Sequence, residues 1–333
     1  MPVISVGTEN TGPINLYYED YGSGSPVVLI HGYPLSGRAW DKQVPPLLAA
    51  GHRVITYDRR GAGKSSQPAP GSDWDTFAAD LSIVIDTLGL DGVTLVGHSM
   101  GTGEVTRYLG NYGSSKVNRA VLIGPIPPYL SQAPDNPDGV PANLFDGFRQ
   151  SAAADGPAWL KGFLDLFYNI DQFRGNRVSD EAYNASFNVA VGMSAIAVVE
   201  CVTTWQSDFR ADLPKIDVPV LVVQGDADRV LPFDKTGKRP SICPTCDSSA
   251  SRPANEGRSA AGRAPPGEPG RRGTSGSRPP DRPAAAPAAG PGCALRAAPT
   301  RDRPQARTQA ARGPSGSAPA PAPAARSSPS RPC

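Results

Sequence analysis

The stretch Val93-Thr94-Leu95-Val96-Gly97-His98-Ser99-Met100-Gly101 constrains this chain most. A run of apolar β-formers leads straight into Gly-x-Ser-x-Gly, and a helix-compatible segment follows. Strand, sharp turn and helix in that order are the context of a nucleophile elbow, in which the turn exposes a serine hydroxyl at a strand end. Glycine at 97 and 101 lets neighbouring backbone pass where a Cβ would obstruct it. Gly-x-Ser-x-Gly alone carries little information, and a plain strand-to-helix loop is the competing reading. Its placement between a strand and a helix gives the motif its force.

Other segments repeat the pattern of strand followed by motif. Ile14 to Tyr18 alternates as a strand does, and Gly22-Ser23-Gly24 turns the chain. Pro26 to Ile30 and Val54 to Tyr57 are continuous apolar runs, as expected of strands buried on both faces. They end in His31-Gly32-Tyr33-Pro34 and in Asp58-Arg59-Arg60-Gly61-Ala62-Gly63-Lys64-Ser65. Arg38 to Ala50 and Asp75 to Leu88 read as helices, the latter with apolar residues at helical spacing and Gly89 as a stop. Ala120 to Ile123 is another buried strand. Pro219 to Gln224 is the last, ending in Gly225-Asp226-Ala227-Asp228-Arg229-Val230-Leu231-Pro232. Strands alternating with helices at this spacing predict an α/β fold, a mostly parallel sheet flanked by helices. Ligands of such sheets bind beyond the carboxyl ends of the strands, where each of these motifs falls.

From these spans we expect residues 1–124 to form the first part of the core and 125–211 a helical cap, with helical pieces at Trp159 to Tyr168 and Asp180 to Met193. Residues 212–237 return to the core with a strand and an acidic loop. Composition then changes abruptly. All 9 Phe, 10 Tyr, 4 Trp, 3 Met and 3 His lie before residue 241, whereas residues 241–333 hold no aromatic, Val, Met, Lys or His, one Ile and one Leu. Too little apolar surface is available there to offset ordering entropy, so residues 238–333 are expected to be a disordered Arg/Pro/Ala/Gly-rich tail. The last 93 residues carry 14 Arg against 5 acidic residues, a net +9 that leaves −7 on residues 1–240 within the overall +2. Arg replacing Lys throughout is what a G+C-rich gene gives when read out of frame. Back-translating Pro240 to Ala254 with G or C in third positions, and reading two nucleotides later, gives Val-His-Leu-Pro-Asp-Val-Arg-Leu-Val-Gly-Val-Glu-Ala-Gly, a strand bounded by a turn. A frameshift near residues 238–240 is therefore expected.

No apolar run reaches the length of a membrane span, and Met1 to Gly12 lacks the pattern of a signal peptide; a cytoplasmic location and no membrane partner are the default. Cys243-x-x-Cys246 has no second ligand pair at workable spacing, so no metal site is expected. Cys201 reads as a small buried apolar residue.

Together His31-Gly32-Tyr33-Pro34-Leu35-Ser36-Gly37, Tyr57-Asp58-Arg59-Arg60-Gly61, Gly63-Lys64-Ser65-Ser66, Gly97-His98-Ser99-Met100-Gly101, Phe167-Tyr168-Asn169 and Gly225-Asp226-Ala227-Asp228-Arg229 resemble the α/β-hydrolase fold. The likeness is to its cofactor-free (non-haem) bacterial haloperoxidase, chloroperoxidase and arylesterase branch, and covers residues 1 to about 238. It implies Ser99 as nucleophile and Asp228 as the acid that orients a histidine, with Asp226 the lesser alternative. It also implies an oxyanion hole from the backbone N–H groups of Tyr33 and Met100, in a loop fixed by Pro34. Asp58 and Arg59 match a loop that buttresses the site, and a structural ion pair is favoured for them over catalysis. Phe is typical where His98 stands, and His98 is expected to pack or pair locally. Trp159, Phe163 and Phe167 either set acyl-group size or form the core of the cap.

The resemblance also implies a substrate class. Partners would be a small-molecule ester, often an aryl ester, or a carboxylic acid, with hydrogen peroxide and halide. One acyl-enzyme would pass its acyl group to water or to peroxide, and the resulting peracid would oxidise halide; no metal or haem cofactor is implied. A serine nucleophile needs a base, which the family supplies as a histidine beyond the acid loop. Here the histidines are His31, His52 and His98, and none is placed to bridge Ser99 and Asp228. The last strand and helix of the family are likewise missing from the sequence pattern. This form is therefore expected to be largely inactive. The alternative is a non-catalytic hydrolase-like binding protein with a basic tail. Fourteen arginines could contact phosphates, but nucleic acid is not the expected partner because the tail has no aromatics to stack bases. Lactonase and C–C hydrolase chemistry stay open on this fold, whereas a dehalogenase would carry Asp at 99.

Overall fold

The apolar runs become the inner strands of one sheet. In a computed structural model that describes residues 1–232 and the backbone of 246–251, the strands are β1 (Val3–Glu9), β2 (Gly12–Tyr21), β3 (Pro26–Ile30), β4 (Arg53–Tyr57), β5 (Val93–His98), β6 (Val117–Ile123), β7 (Val220–Gly225) and β8 (Cys246–Ser251). They lie in the order β1-β2-β4-β3-β5-β6-β7-β8. β1 pairs antiparallel with β2, and β2 with β4; every later pairing is parallel. Register is tight around the elbow, with Ile30 opposite Gly97 and His98 opposite Ile123. Parallel strands put all their carboxyl ends on one edge, so the loops after Ile30, Tyr57, His98, Ile123 and Gly225 converge there.

Helices cover both faces, which is why these strands read as unbroken apolar runs. α2 (Trp74–Thr87) starts where the Asp73 carboxylate accepts from Thr76 N–H, and α3 (Met100–Tyr112) starts at the elbow. With β3, β5 and β6 they enclose a core that includes Val28, Ile30, Leu81, Ile85, Leu95, Val105 and Leu122. The opposite face buries Val27, Leu29, Trp40 and Val54. The helix expected over Arg38 to Ala50 is instead a 3-10 turn, Gly37–Trp40, and a short α1, Val44–Ala49. Pro45 and Pro46 explain the split. Neither has an N–H to donate, so both fit only the first turn of a new helix.

Between β6 and β7 lie five helices, α4 (Ala142–Ala154), α5 (Gly156–Phe167), α6 (Ile170–Phe173), α7 (Asp180–Ala190) and α8 (Ala195–Thr204). Asp155, Ser179 and Ser194 cap α5, α7 and α8 by accepting from the N–H groups of Ala158, Ala182 and Ala197. Among the described residues no single helix is long and apolar enough to cross a membrane.

One expectation is corrected at the sheet edge. The strand read as missing is present as β8, within the stretch assigned to the disordered tail, and pairs with β7 from Val220 opposite Cys246 to Gly225 opposite Ser251. Strand pairing is a main-chain affair: an open β7 edge offers a row of unsatisfied N–H and C=O groups, and small polar residues can supply partners for them without an apolar pattern. The tail beyond Ser251, the expected final helix and Cys243 lie outside the described residues.

Candidate active site

Ser99 sits at the tip of the elbow with φ 50° and ψ −116°, a backbone shape a non-glycine residue adopts only where its surroundings hold it. Its own N–H donates to Ile123 O (2.8 Å), and Thr102 N–H donates to its carbonyl (2.9 Å). A Cβ on Gly97 would lie 2.4 Å from Gly101 O, and one on Gly101 the same distance from Ile30 O. Only glycine lets β3, β5 and α3 meet this closely. Gly32 is similarly confined, 3.0 Å from the Ser99 Cβ at the position its own Cβ would take, so the loop after β3 lies directly against Ser99.

Two cavities open at Ser99. One, of about 340 Å³, is bordered by Ser99, Gly124, Phe167, Asn169, Asp228 and Leu231. The other, of about 560 Å³, runs under the cap from Ser99 past Leu130, Phe145, Trp159, Phe163 and Trp205. The structure thus brings Ser99 together with Asp228 on one side and with Trp159 and Phe163 on the other, while Phe167 belongs to the Asp228 side. All three aromatics also pack in the cap's apolar cluster, so they are core and cavity lining at once.

Asp228 is held by its own loop. Its Oδ1 accepts from Val230 N–H (2.9 Å) and Leu231 N–H (2.8 Å), and its Oδ2 accepts from the Gln224 side-chain amide at 3.2 Å. Burial raises its pKa, and the two backbone donors work against that rise. Asp226 borders the same cavity. The cap grips this loop from above: Asn169 Nδ2 donates to Ala227 O at 3.4 Å, and Arg229 pairs with Asp171 at 2.6 Å.

Met100 is buried and is the first residue of α3, so its N–H has no partner within the helix and lies beside Ser99. The Tyr33 side chain reaches away into the cap. Its hydroxyl donates to Val198 O (3.0 Å) and accepts from Trp159 Nε1 (2.8 Å), and its ring meets Phe163 and Trp205 edge-on. The Tyr33 side chain is thus committed to the cap.

Each histidine has a local role. Arg59 N–H donates to His31 Nε2 (3.0 Å), so the His31 proton is on Nδ1, which donates to Gly32 O (2.9 Å). Burial, and then the Arg59 charge, lower the His31 pKa to about 3. His98 is wedged edge-on between Trp40 and Phe167, and burial lowers its pKa to about 4. His52 lies at the opposite end of the sheet, where Nδ1 meets Ser25 Oγ at 2.8 Å.

Asp58 and Arg59 each find partners elsewhere in the structure. Asp58 accepts from Gly37 N–H (2.8 Å) and Lys64 N–H (2.7 Å), pinning two loops, while Arg59 pairs with Glu104 of α3 at 2.7 Å. Tyr57 O–H also donates to Glu104, and Arg59 Nη2 donates to His31 O (2.9 Å). Adjacent side chains on a loop point apart, so Arg59 finds its counter-ion on the helix behind the elbow. Glu104 escaped the sequence reading because nothing local marks a partner 45 residues away; its one signal is a lone carboxylate on an otherwise apolar helix face. Among the described residues no three His, Cys, Asp or Glu side chains gather as a metal site.

A family model described as alpha/beta hydrolase fold matches residues 25–244. The chain belongs to the α/β hydrolase fold family. Within it, this hydrolase is 55% identical over 239 residues to a Synechocystis protein whose name assigns it, provisionally, as a non-heme chloroperoxidase; the match covers 72% of this chain and 87% of the relative. It is 36% identical to the bifunctional esterase/perhydrolase DCH of Acinetobacter calcoaceticus, over 68% of this chain and 83% of that protein. A crystal structure of bromoperoxidase from Bacillus anthracis superposes with a TM-score of 0.71 at 41% identity, covering 75% of this chain and 91% of the other. This α/β hydrolase therefore falls in the esterase and non-haem haloperoxidase branch of its family.

Proposed function

We propose that the site is built for acyl transfer through Ser99 on small esters, aryl esters among them, with water or hydrogen peroxide as acceptor. One observation carries this reading: Ser99, held at φ 50°, stands where a cavity with Asp228 on its wall meets an apolar cavity lined by Trp159 and Phe163. The apolar cavity takes the ester's apolar part and brings its carbonyl carbon to Ser99 Oγ. As that oxygen attacks, negative charge develops on the carbonyl oxygen, and the N–H groups of Met100 and Tyr33 stabilise it; one such donor is worth roughly 10²–10³ in rate. The alcohol leaves and the acyl group stays on Ser99. Water then releases the acid, or hydrogen peroxide releases a peracid, whose terminal oxygen passes to halide to give hypohalous acid and the carboxylic acid. Metal and haem take no part in this scheme.

Asp228 is the acid that would orient a base between itself and Ser99. In the 333 residues the three histidines have other duties, so this chain is proposed to react slowly, through a Ser99 hydroxyl that no base assists. The test is a p-nitrophenyl ester assay on wild type and Ser99→Ala, with peroxide-dependent bromination in parallel. A weak hydrolysis that Ser99→Ala abolishes supports the reading. An ordinary, fast turnover contradicts the missing base, and activity indifferent to Ser99→Ala contradicts the nucleophile.

A further inference from the structure

Ser99 and Asp228 border one cavity of about 340 Å³ whose other walls combine the rings of Phe167 and Phe173 with the polar side chains of Asn169, Arg177 and Asp226. At one wall is a hydroxyl at an exposed turn. The same cavity is bordered by a carboxylate whose Oδ1 accepts from two backbone N–H groups and whose Oδ2 accepts from the Gln224 amide at 3.2 Å. Its Oδ2 lies 3.8 Å from where a Cβ on Gly124 would stand. Gly124 is next to Ile123, whose carbonyl accepts the Ser99 N–H, so Oδ2 is on the elbow's side of the loop. A molecule spanning this gap must present an unprotonated nitrogen to the Ser99 O–H and an N–H to Asp228, on a small flat frame that tolerates apolar walls. Imidazole has that arrangement of one acceptor, one donor and a planar apolar edge. His98, which also borders the cavity, does not supply it, because its ring is fixed between Trp40 and Phe167.

We infer that the cavity between Ser99 and Asp228 is a binding site for free imidazole, which there serves as the general base of the ester reaction. The inference rests on the acyl-transfer reading. Bound imidazole donates its N–H to Asp228 Oδ2 and accepts the Ser99 proton through its other nitrogen as Oγ bonds to the carbonyl carbon. The imidazolium returns that proton to the departing alkoxide, so the alcohol leaves neutral and imidazole is regenerated. In the second half it takes a proton from water and returns it to Ser99 Oγ as the acyl–oxygen bond breaks.

The experiment is p-nitrophenyl ester hydrolysis by the full chain with increasing imidazole. The rate rises and saturates, by about 10²-fold, after subtraction of the protein-free reaction. On the same unaltered protein 1-methylimidazole, which has no N–H for Asp228, gives no saturation. Asp228→Asn weakens the imidazole response and Ser99→Ala abolishes it. A response linear in imidazole, equal for 1-methylimidazole and unmoved by Asp228→Asn, is bulk catalysis and overturns the inference. An arylboronic acid separates this from the reading beneath it, since Trp159 and Trp205 line the neighbouring cavity and report its binding by fluorescence. Boronate binding that needs Ser99, without imidazole rescue, overturns the base site and leaves the nucleophile standing. Boronate binding indifferent to Ser99→Ala overturns both.

Discussion

His31 is neutral because it is buried and half-buried His98 because its ring is packed between Trp40 and Phe167, and that makes the fold sensitive to acid. In the unfolded chain a histidine takes its proton near pH 6.5, but in the folded protein His98 does so only near pH 4 and His31 near pH 3. The unfolded state therefore binds more protons, and the stability these residues contribute is complete above pH 6.5 and lost as pH falls towards 4 and below. For His98, which solvent partly reaches, the loss between pH 7 and 5 is about 1 kcal/mol, discounted from about 2 kcal/mol for a fully buried ring. His98→Phe places an apolar ring between Trp40 and Phe167 and removes that share, so urea midpoints of the variant fall less steeply over this interval than those of wild type; parallel slopes would refute the assignment. Glu104 acts in the other sense, by charge. It is fully buried and neutralises Arg59, itself 2% exposed. Glu104→Ala leaves that guanidinium buried without a counter-ion and costs about 3–5 kcal/mol. A loss below about 1 kcal/mol in urea unfolding would show that water or another group replaces Glu104.

The strand-to-helix junction at Ser99 depends on backbone packing more than on side chains. A Cβ at Gly101 meets a main-chain oxygen at 2.4 Å, with nothing flexible to give way, whereas one at Gly147 in α4 meets nothing within 4 Å. Gly101→Ala is therefore expected to cost about 3 kcal/mol or more, and Gly147→Ala to stabilise by about 1 kcal/mol through helix propensity alone. Equal thermal shifts for the two would mean that β3 and α3 can move apart. The contrast shows what could be read from the sequence. β3, β4, β5 and β7 announced themselves because strands covered on both faces are written as continuous apolar runs, and the motifs at their ends marked the site edge. β1 went unread: as an outer strand it buries only Ile4 fully, so no apolar run betrays it. Arg38 to Ala50 is not one helix because Pro45 and Pro46 fit only the first turn of a new one. The Tyr33–Trp159 and Arg229–Asp171 contacts, which join cap to site, link residues 126 and 58 apart, and such pairs leave no local trace.

The sheet as a whole ends on a strand unlike its neighbours. β8 is Cys-Asp-Ser-Ser-Ala-Ser by sequence, its main chain paired along the length of β7, whereas the inner strands are built on Val, Leu and Ile. The shifted reading of the same stretch, Val-Arg-Leu-Val-Gly-Val, would bring alternate branched side chains to the sheet faces. At about 1.5 kcal/mol or more for each one buried, three of them amount to several kcal/mol, or about 10 °C in melting temperature for a domain of this size. We therefore propose an altered reading frame near residues 238–240. Nucleotide sequence across those codons is expected to show an insertion or deletion, with an open alternative frame. Protein made in the restored frame is expected to melt about 10 °C higher and, because the family's histidine would follow its last strand, to hydrolyse aryl esters without added imidazole. Stops in the alternative frames, or a reversible melting temperature equal to that of the restored protein, would make β8 and the basic tail genuine features of this hydrolase.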